Sequence, residues 1–417
     1  MADRIYLCLA HMSEVGMEQK YIKEAFDTNW VVPLGPNVDG FEEDLEIYIG
    51  EGKHVLALSS GTAAVHLSLL ACGVGYGDEV IVQSFTFCAS AHPITYLGAT
   101  PVFVDSEQDT WNMSSELLET TIIDRIAETG KKPKAIMLVY LYGMPGKIEE
   151  IMGIASKYEI PVIEDAAEAF GSKYKGKIVG TFGKYGILSF NGNKMITTSG
   201  GGALICPSKE EKERIMWYAT QAREAYPYYQ HEVIGYNYRM SNICAGIGRG
   251  QMIVADQHIA HHRHVADMYR DAFRDVEGLE FHDEPKGVES NFWLSTILVS
   301  ETLKITNEDM AYKEAACNVI GGIGGMLHNT GIVHTDCEPD LNVEALRITL
   351  SMAGIESRPL WKPMHRQPVY KDAPAYVNGV SEQLFKKGLC LPSGPMVSDD
   401  DVARIVATIK NAIICAR

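Results

Sequence analysis

The sequence predicts an α/β protein: a three-layer sandwich with a mostly parallel central sheet, followed by a smaller C-terminal α+β domain. Between residues 54 and 207, short continuous apolar runs alternate with helical segments, which is typical of strands buried on both faces. After about residue 256 this alternation ends. The chain has 417 residues, 46% of them hydrophobic, so it can form more than one core. We expect a large domain over 1–255, including an N-terminal arm, and a small domain over 256–417.

The predicted elements follow in order along the chain. The arm carries a helix near 13–28, and a second helix spans about 38–51. The predicted strands are HVLAL (54–58), EVIVQS (79–84), PVFVD (101–105), AIMLVYL (135–141), PVIED (161–165), YGILSF (185–190) and GGALICP (201–207). Helices at 62–72 and 148–158 lie between some of them. The C-terminal region adds a long helix at 251–273, a strand at 292–300, a helix end at 346–355 and a closing helix at 398–416.

Composition limits the classes of function. The formal net charge of −17 argues against nucleic acid as a partner, because phosphate backbones bind clustered Lys and Arg. The 9 Cys lack paired spacing, which indicates a reducing compartment, so we expect a cytoplasmic protein. No apolar run approaches the roughly 20 residues of a membrane span. The N-terminus lacks a cleavage-like site, so we expect neither a signal peptide nor a membrane partner.

The first segment with chemical character is SSGTAA (59–64), which joins a predicted strand to a predicted helix. Gly61 permits a tight turn, and the N–H groups of the helix N-terminus, together with the Thr62 hydroxyl, can hold a phosphate. An ordinary helix N-cap explains these residues equally well.

The second segment is VIEDAAE (162–168), which ends a predicted buried strand on a carboxylate. A buried carboxylate is costly unless it is paired with a cation, and a protonated pyridine nitrogen is one such cation. Asp165 would keep that nitrogen protonated. The alternative is a strand-end aspartate that caps the following helix.

The third segment is SFNGNK (189–194), followed by TTSGGGA (197–203). A lysine between a strand and a glycine-rich turn can lie in the crevice at the carboxyl ends of the strands. There, partial desolvation makes Lys194 a competent amine nucleophile. A single lysine is more often a solvated surface group, so the interpretation depends on all three segments together.

These segments, in this order, resemble the sugar-nucleotide aminotransferases of the DegT type, which have the aspartate-aminotransferase fold (fold type I). PLGPNVDGFE and GYNYRM fit the same family, and the match runs from about residue 34 to 251, with weaker agreement beyond. The resemblance implies an enzyme that uses pyridoxal 5′-phosphate and no metal. It would move an amino group, which we expect to come from glutamate, to a nucleotide-linked keto sugar in amino-sugar or surface-glycan biosynthesis.

The resemblance also implies roles for single residues. Lys194 would bond to the cofactor and move the protons, and Asp165 would pair with the ring nitrogen. Asn237 would reach the cofactor phosphate of the neighbouring subunit, so the active unit would be a homodimer with shared sites. Glu168 stands where the family often has Gln or His. Phe87 and Ala167 would contact the two opposite faces of the ring. The remaining cofactor contacts would be Gly61, Thr62, Glu168 and Ser189.

A finer resemblance concerns the substrate. The segments 11–38 and SRPLWKPMH (357–365) look most like the C4 aminotransferases that act on UDP-4-keto-6-deoxy-N-acetylglucosamine. Trp361 offers an aromatic face to the sugar or the base, and Arg358 and Lys362 offer charge to a diphosphate. His365 completes the expected substrate contacts. A core tryptophan flanked by solvated cations explains the same segment.

Two other functions stay open. Sugar dehydratases or isomerases on this fold generally replace the lysine with histidine, so Lys194 argues against that chemistry. A non-catalytic regulatory or binding protein on the same scaffold is the alternative from another class, although the sequence contains no basic helix-turn-helix.

Two further patterns favour structural explanations. GGIGGM (321–326) lacks the preceding strand and acidic partner of a dinucleotide site. A metal site needs ligands on one face and supporting hydrogen bonds, so we expect a solvated helix face for the histidines at 258, 261, 262 and 264. His334 with Cys337 is no stronger a metal candidate.

Overall fold

The structure, a computed structural model, describes residues 4–311 and 337–414. Its main element is an eight-stranded sheet, which confirms the predicted α/β class. Every neighbouring pair is parallel except for the two pairs made by Gly202–Cys206, which runs antiparallel to both adjacent strands. In spatial order, the strands are His54–Leu58, Gly202–Cys206, Tyr185–Ser189, Val162–Asp165, Ala135–Val139, Glu79–Gln83, Thr100–Val104 and Ala375–Tyr376.

Both faces of this sheet are buried, which explains the continuous apolar runs. In the strand Glu79–Gln83, Ile81 belongs to one hydrophobic cluster while Val80 and Val82 belong to the cluster on the opposite face. The helices of this part of the chain are Met17–Asp27, Pro36–Ile49, Gly61–Ala71, His92–Tyr96, Ser115–Thr129, Ile148–Lys157, Lys209–Ala219 and Asn242–Met252.

A second sheet forms later in the chain from four antiparallel strands. In spatial order, they are Leu279–Phe281, Ser295–Val299, Gly388–Leu391 and Arg358–Pro359. The helices of this part are Ala255–Phe273, Leu341–Met352, Val380–Lys387 and Asp399–Ala412. Smaller pairings join Lys173–Tyr174 to Lys177–Ile178 and Val288–Glu289, and Lys304–Ile305 to Ile413–Ile414. The domain division after residue 255 stays a prediction.

The two parts of the chain exchange segments. Ala375–Tyr376 returns to the large sheet and pairs in parallel with Thr100–Val104. The sequence pattern did not predict a strand at Ala375–Tyr376. In the other direction, Ile5 of the N-terminal arm pairs with Ile355 beside the second sheet. Each sheet therefore includes or contacts residues from the far end of the sequence.

Several predicted helices need correction. The helix predicted at 251–273 is interrupted, because the helix Asn242–Met252 ends before Ile253 and the helix Ala255–Phe273 begins after Val254, whose backbone is not helical (φ −109°, ψ 6°). The closing helix ends at Ala412, where the β-branched pair Ile413–Ile414 forms a strand instead. The helix end predicted at 346–355 belongs to Leu341–Met352.

The solvated histidine face is wrong for two of its four members. His258 is 5% exposed and His262 is fully buried, because their side of the helix Ala255–Phe273 packs against loops of the protein interior. Among the described residues, no group of three or more His, Cys, Asp and Glu side chains is arranged to hold a metal ion. GGIGGM and His334 lie outside the described residues.

Candidate active site

A cavity of about 330 Å³ lies at the carboxyl ends of the strands of the large sheet. All three segments singled out in the sequence reach it, because parallel strands end at one edge of a sheet. The predicted site residues that line it are Gly61, Thr62, Phe87, Asp165, Ala167, Glu168, Ser189, Lys194 and Trp361.

The helix Gly61–Ala71 begins at this cavity. Its N-cap is Ser60, whose side chain accepts a hydrogen bond from the Ala63 N–H at 3.0 Å. The adjacent strand passes so closely that a side chain on Gly202 would overlap the Gly61 backbone nitrogen. A Cβ on Gly61 would lie 3.1 Å from the Ser189 Cβ. The helix N-terminus and the hydroxyl groups of Thr62 and Ser189 thus line one space, which suits a phosphate group.

Asp165 ends its strand in the wall of the cavity and is 6% exposed. One carboxylate oxygen accepts a hydrogen bond from the Ser90 hydroxyl at 2.6 Å, and the other accepts from the Ala167 N–H at 3.2 Å. Burial raises the pKa of the Asp165 carboxyl, whereas these hydrogen bonds and the Lys194 charge oppose the increase. Both oxygens are therefore fixed in place, and a cation in the cavity would favour the ionised form.

Lys194 lies between two partners at the cavity. Its Nζ is 3.4 Å from a carboxylate oxygen of Glu168 and 3.9 Å from the centre of the Trp293 ring. An amine held in this way can approach an electrophile in the cavity without moving through solvent. The position is therefore suited to nucleophilic and proton-transfer chemistry.

Glu168 is buried, and both of its oxygens are engaged. The oxygen that does not face Lys194 accepts a hydrogen bond at 2.7 Å from the N–H of Tyr142, a residue with a left-handed backbone (φ 56°). Burial raises the pKa of Glu168, and the nearby Lys194 charge opposes that increase. The side chain of Asn291 also donates to the Glu168 carbonyl at 3.0 Å, so the whole residue is held rigidly.

Aromatic side chains form the open side of the cavity. The Phe87 ring is 49% exposed and lies 5.4 Å from the Trp361 ring. The Trp361 backbone N–H donates to the Tyr142 hydroxyl at 2.8 Å, which fixes this wall to the loop that contacts Glu168. A planar ring or a sugar can pack against such surfaces.

Four predicted residues lie outside the lining of this cavity. Asn237 is exposed on a hairpin, where it forms a bridge with Thr220. Arg358 binds Glu356 at 3.0 Å on the second sheet. Lys362 lines a neighbouring cavity that shares Phe87 and Trp361 with the first.

The fourth of these residues, His365, is held by hydrogen bonds from both sides. Its Nδ1 is 2.7 Å from the Ser84 hydroxyl, and its Nε2 is 3.0 Å from a Glu382 oxygen.

Sequence reasoning missed two residues that contact the site, Ser90 and Trp293. Ser90 lies seven residues after the end of a strand, and its spacing alone does not show that it reaches Asp165. Trp293 comes from the region of the second sheet, where a tryptophan in an apolar run predicts a core residue. Only the packing of distant segments brings its ring to Lys194.

These residues fit pyridoxal phosphate on chemical grounds. A buried carboxylate suits a ring nitrogen, a helix N-terminus suits a phosphate, and an amine beside them suits an aldehyde. Exposed aromatic surface suits a planar ring.

Among the described residues, no helix combines the length and the apolar character that crossing a bilayer requires.

Fold and site together define a pyridoxal-phosphate-dependent aminotransferase. The sequence profile of the DegT/DnrJ/EryC1/StrS aminotransferase family matches residues 13–334 and 325–410, and the chain belongs to this family.

Individual relatives agree with this assignment. The chain is 42% identical to EpsN of Bacillus subtilis (strain 168), described by its name as a pyridoxal phosphate-dependent aminotransferase, over 98% of this chain and 96% of the relative. It is 37% identical to the GDP-perosamine synthase of Escherichia coli O157:H7, over 97% and 98% of the two chains. A solved DegT DnrJ EryC1 StrS aminotransferase from Brucella abortus has a TM-score of 0.80 and 29% identity, over 95% of both chains.

Proposed function

We propose that this enzyme moves an amino group from glutamate to C4 of a nucleotide-linked 4-keto-6-deoxy sugar. The observation that carries the proposal is the position of Lys194, which lines one cavity together with Asp165, the N-terminus of the helix Gly61–Ala71 and the aromatic wall of Phe87 and Trp361. A catalytic amine beside a carbohydrate-sized aromatic surface supports an aminotransferase that acts on a sugar. The E. coli relative is named a GDP-perosamine synthase, after a GDP-linked sugar, and this supports a nucleotide-linked substrate.

The residues of this chain divide the chemistry among them. When bound, pyridoxal phosphate supplies an electron sink that stabilises negative charge at the substrate carbon. Asp165 keeps a proton on the ring nitrogen, and Ser90 and the Ala167 N–H hold the Asp165 oxygens in position. The Nζ of Lys194 removes a proton from the amino donor and returns one at the sugar carbon. Thr62 and Ser189 bind the phosphate.

Substrate binding is the next part of the proposal. Trp361 packs against the sugar, because an indole face covers the C–H groups of a pyranose. Lys362, in the neighbouring cavity past the same aromatic wall, contacts the diphosphate. Arg358 and His365 are weaker candidates as direct contacts, since Glu356 binds the first and both Ser84 and Glu382 bind the second.

The exposed hairpin that carries Asn237 supports a proposal about the quaternary structure. An exposed amide outside the cavity of its own subunit is available to a second copy of the chain, and the family resemblance assigns it to the partner's phosphate site. We therefore propose a homodimer with shared sites. The described cysteines at positions 8, 72, 88, 206, 244 and 390 form no disulfide, which supports our proposal that the enzyme works in the reducing cytoplasm.

The test is incubation of the purified enzyme with glutamate and a UDP-linked 4-keto-6-deoxy sugar, with a GDP-linked analogue in parallel. We expect an amino sugar whose amine NMR places at C4, and none from the Lys194→Ala variant. An amine at C3 would overturn the assigned position. Rapid turnover of a free keto acid without any sugar product would overturn the substrate class. Preference for the GDP-linked compound would correct the base but leave the reaction intact.

A further inference from the structure

The loop that carries Lys194 is fixed on both sides of the lysine. The carbonyl of Asn193, the residue before it, accepts a hydrogen bond from the Trp293 indole N–H at 2.6 Å. The carbonyl of Met195, the residue after it, lies 3.2 Å from Nδ1 of His258. The backbone on either side of Lys194 is therefore held by side chains from later parts of the chain.

A second histidine fixes the segment that supplies the tryptophan. His262, one turn after His258 on the helix Ala255–Phe273, has its Nδ1 3.2 Å from the carbonyl of Phe292. Burial lowers the pKa of both histidines, so both are neutral near pH 7. A carbonyl can only accept, so the proton is assigned to Nδ1 in each ring. One rigid helix thus sets the spacing between the lysine loop and Trp293.

The ring face of Trp293 points at the amine itself. The Nζ of Lys194 lies 3.9 Å from the ring centre, and the tryptophan is 2% exposed. A buried aromatic face attracts a cation more strongly than an exposed one does. Glu168 lies on the same amine at 3.4 Å, so the carboxylate and the ring together define one position for the amine.

We propose that Trp293 is a positioning residue, which holds the Lys194 amine beside Glu168 whenever the lysine is not bonded to the cofactor. The inference rests on the proposed role of Lys194. During amino transfer, the amine must leave the cofactor, remain within reach of the reacting carbon and bond again. A lysine has four rotatable side-chain bonds, and without a holding surface its amine would sample the whole cavity. The ring face limits that freedom, and the indole N–H fixes the backbone from which the side chain starts.

To separate a positioning role of Trp293 from a packing role, cofactor-free protein is mixed with one of two forms of the cofactor. Pyridoxal phosphate bonds to Lys194 with loss of one water, and borohydride quenching with mass spectrometry gives the rate. Pyridoxamine phosphate has no aldehyde, cannot form that bond, and reports only whether the cavity is intact. Trp293→Phe keeps a ring face and loses the indole N–H, whereas Trp293→Leu loses both. Trp111→Phe is the matched control, because Trp111 is also buried, at 4% exposed, but its ring stacks on His282 outside the cavity.

We expect Trp293→Leu to slow bond formation roughly tenfold, Trp293→Phe to slow it less, and Trp111→Phe to leave it unchanged. The Kd of pyridoxamine phosphate should stay within about twofold in all three variants, since the contacts of the Trp293 indole are with the lysine loop, at Asn193 and Lys194. Bond formation at the wild-type rate in Trp293→Leu would overturn the positioning role of Trp293 but leave the proposed role of Lys194 intact. Equal losses in rate and in pyridoxamine phosphate affinity would reduce Trp293 to a packing residue. If the wild-type protein fixes pyridoxal phosphate on another lysine, the proposed role of Lys194 fails as well.

Discussion

Replacement of Asp165 by asparagine removes one charge from the site with little change in shape. The carboxylate accepts hydrogen bonds from Ser90 and from the Ala167 N–H. An asparagine oxygen can still accept from Ala167, while its NH₂ group can donate to the Ser90 hydroxyl. That hydroxyl is 2.8 Å from the Thr86 hydroxyl, and the direction of this hydrogen bond can reverse, so Ser90 donates to Thr86 instead. We therefore expect Asp165→Asn to fold normally and to bind the cofactor.

The size of the kinetic effect follows from the charge that is lost. A nearby opposite charge shifts the pKa of a titrating group by roughly 1–3 units, and each unit is worth about 1.4 kcal/mol. Without the carboxylate, protonation of the ring nitrogen becomes less favourable by about 1.4–4 kcal/mol, which slows the proton-transfer step tenfold to about a thousandfold. Because Asp165 is almost fully buried, solvent does not screen this effect.

The assay is the single-turnover reaction with glutamate, followed through the absorption of the bound cofactor, with its Kd measured in parallel. Ser90→Ala is the control, since it removes one hydrogen bond and leaves the charge, and we expect it to cost only a few-fold in rate. A rate for Asp165→Asn within about threefold of the wild-type rate would refute the reasoning, because the minimum expected effect is tenfold. So would equal effects of the two substitutions.

Two further predictions concern the subunit boundary and acid stability. Mixing Lys194→Ala subunits with Asn237→Ala subunits should restore up to about a quarter of the wild-type activity, because one hybrid site has both groups intact; proven heterodimers without activity would contradict a shared site. Burial lowers the pKa of His282 from 6.5 to about 3, so between these values only the unfolded chain takes up this proton. The contribution of His282 to stability is therefore complete above pH 6.5 and decreases as the pH falls from 6.5 towards 3. From pH 7.5 to 5.5 this loss is about 1.4 kcal/mol. His282→Phe, which can keep the stacking on Trp111, should show a smaller decrease in melting temperature over that range, and an unchanged decrease would contradict the assignment.

The central sheet was predictable because its strands have a local signature. Residues buried on both faces give continuous apolar runs, and all seven predicted runs are strands of the sheet. Ala375–Tyr376 was not predictable, since two residues carry no period and its pairing with Thr100–Val104 spans more than half the chain. The break at Ile253 and Val254 was not predicted either, because the residues on both sides favour a helix and no Gly or Pro lies between Met252 and Ala255.

Local sequence patterns likewise predicted some residues of the candidate site and missed others. Lys194 and Asp165 were predicted because each ends or follows a strand of a parallel sheet, and topology brings such positions together. Trp293 and Ser90 act through contacts between segments far apart in sequence, which no local pattern encodes. The buried histidines show the converse error. Polar spacing at 258–264 predicts a solvated face, but His258 and His262 bind backbone carbonyls of other segments, which makes their burial tolerable.

The close approach of strand and helix at Gly202 has a consequence for mutational scanning. A side chain at Gly202 would overlap the Gly61 nitrogen, and one at Gly186 would overlap the carbonyl oxygen of Gly180. In a selection for enzyme activity, both glycines should tolerate substitution as poorly as Lys194, although neither offers a side chain to any ligand. Intolerance alone would therefore enlarge the apparent catalytic set with residues whose requirement is purely steric. A parallel measurement of protein abundance would separate the two groups: abundance falls for the glycine variants and stays high for Lys194→Ala.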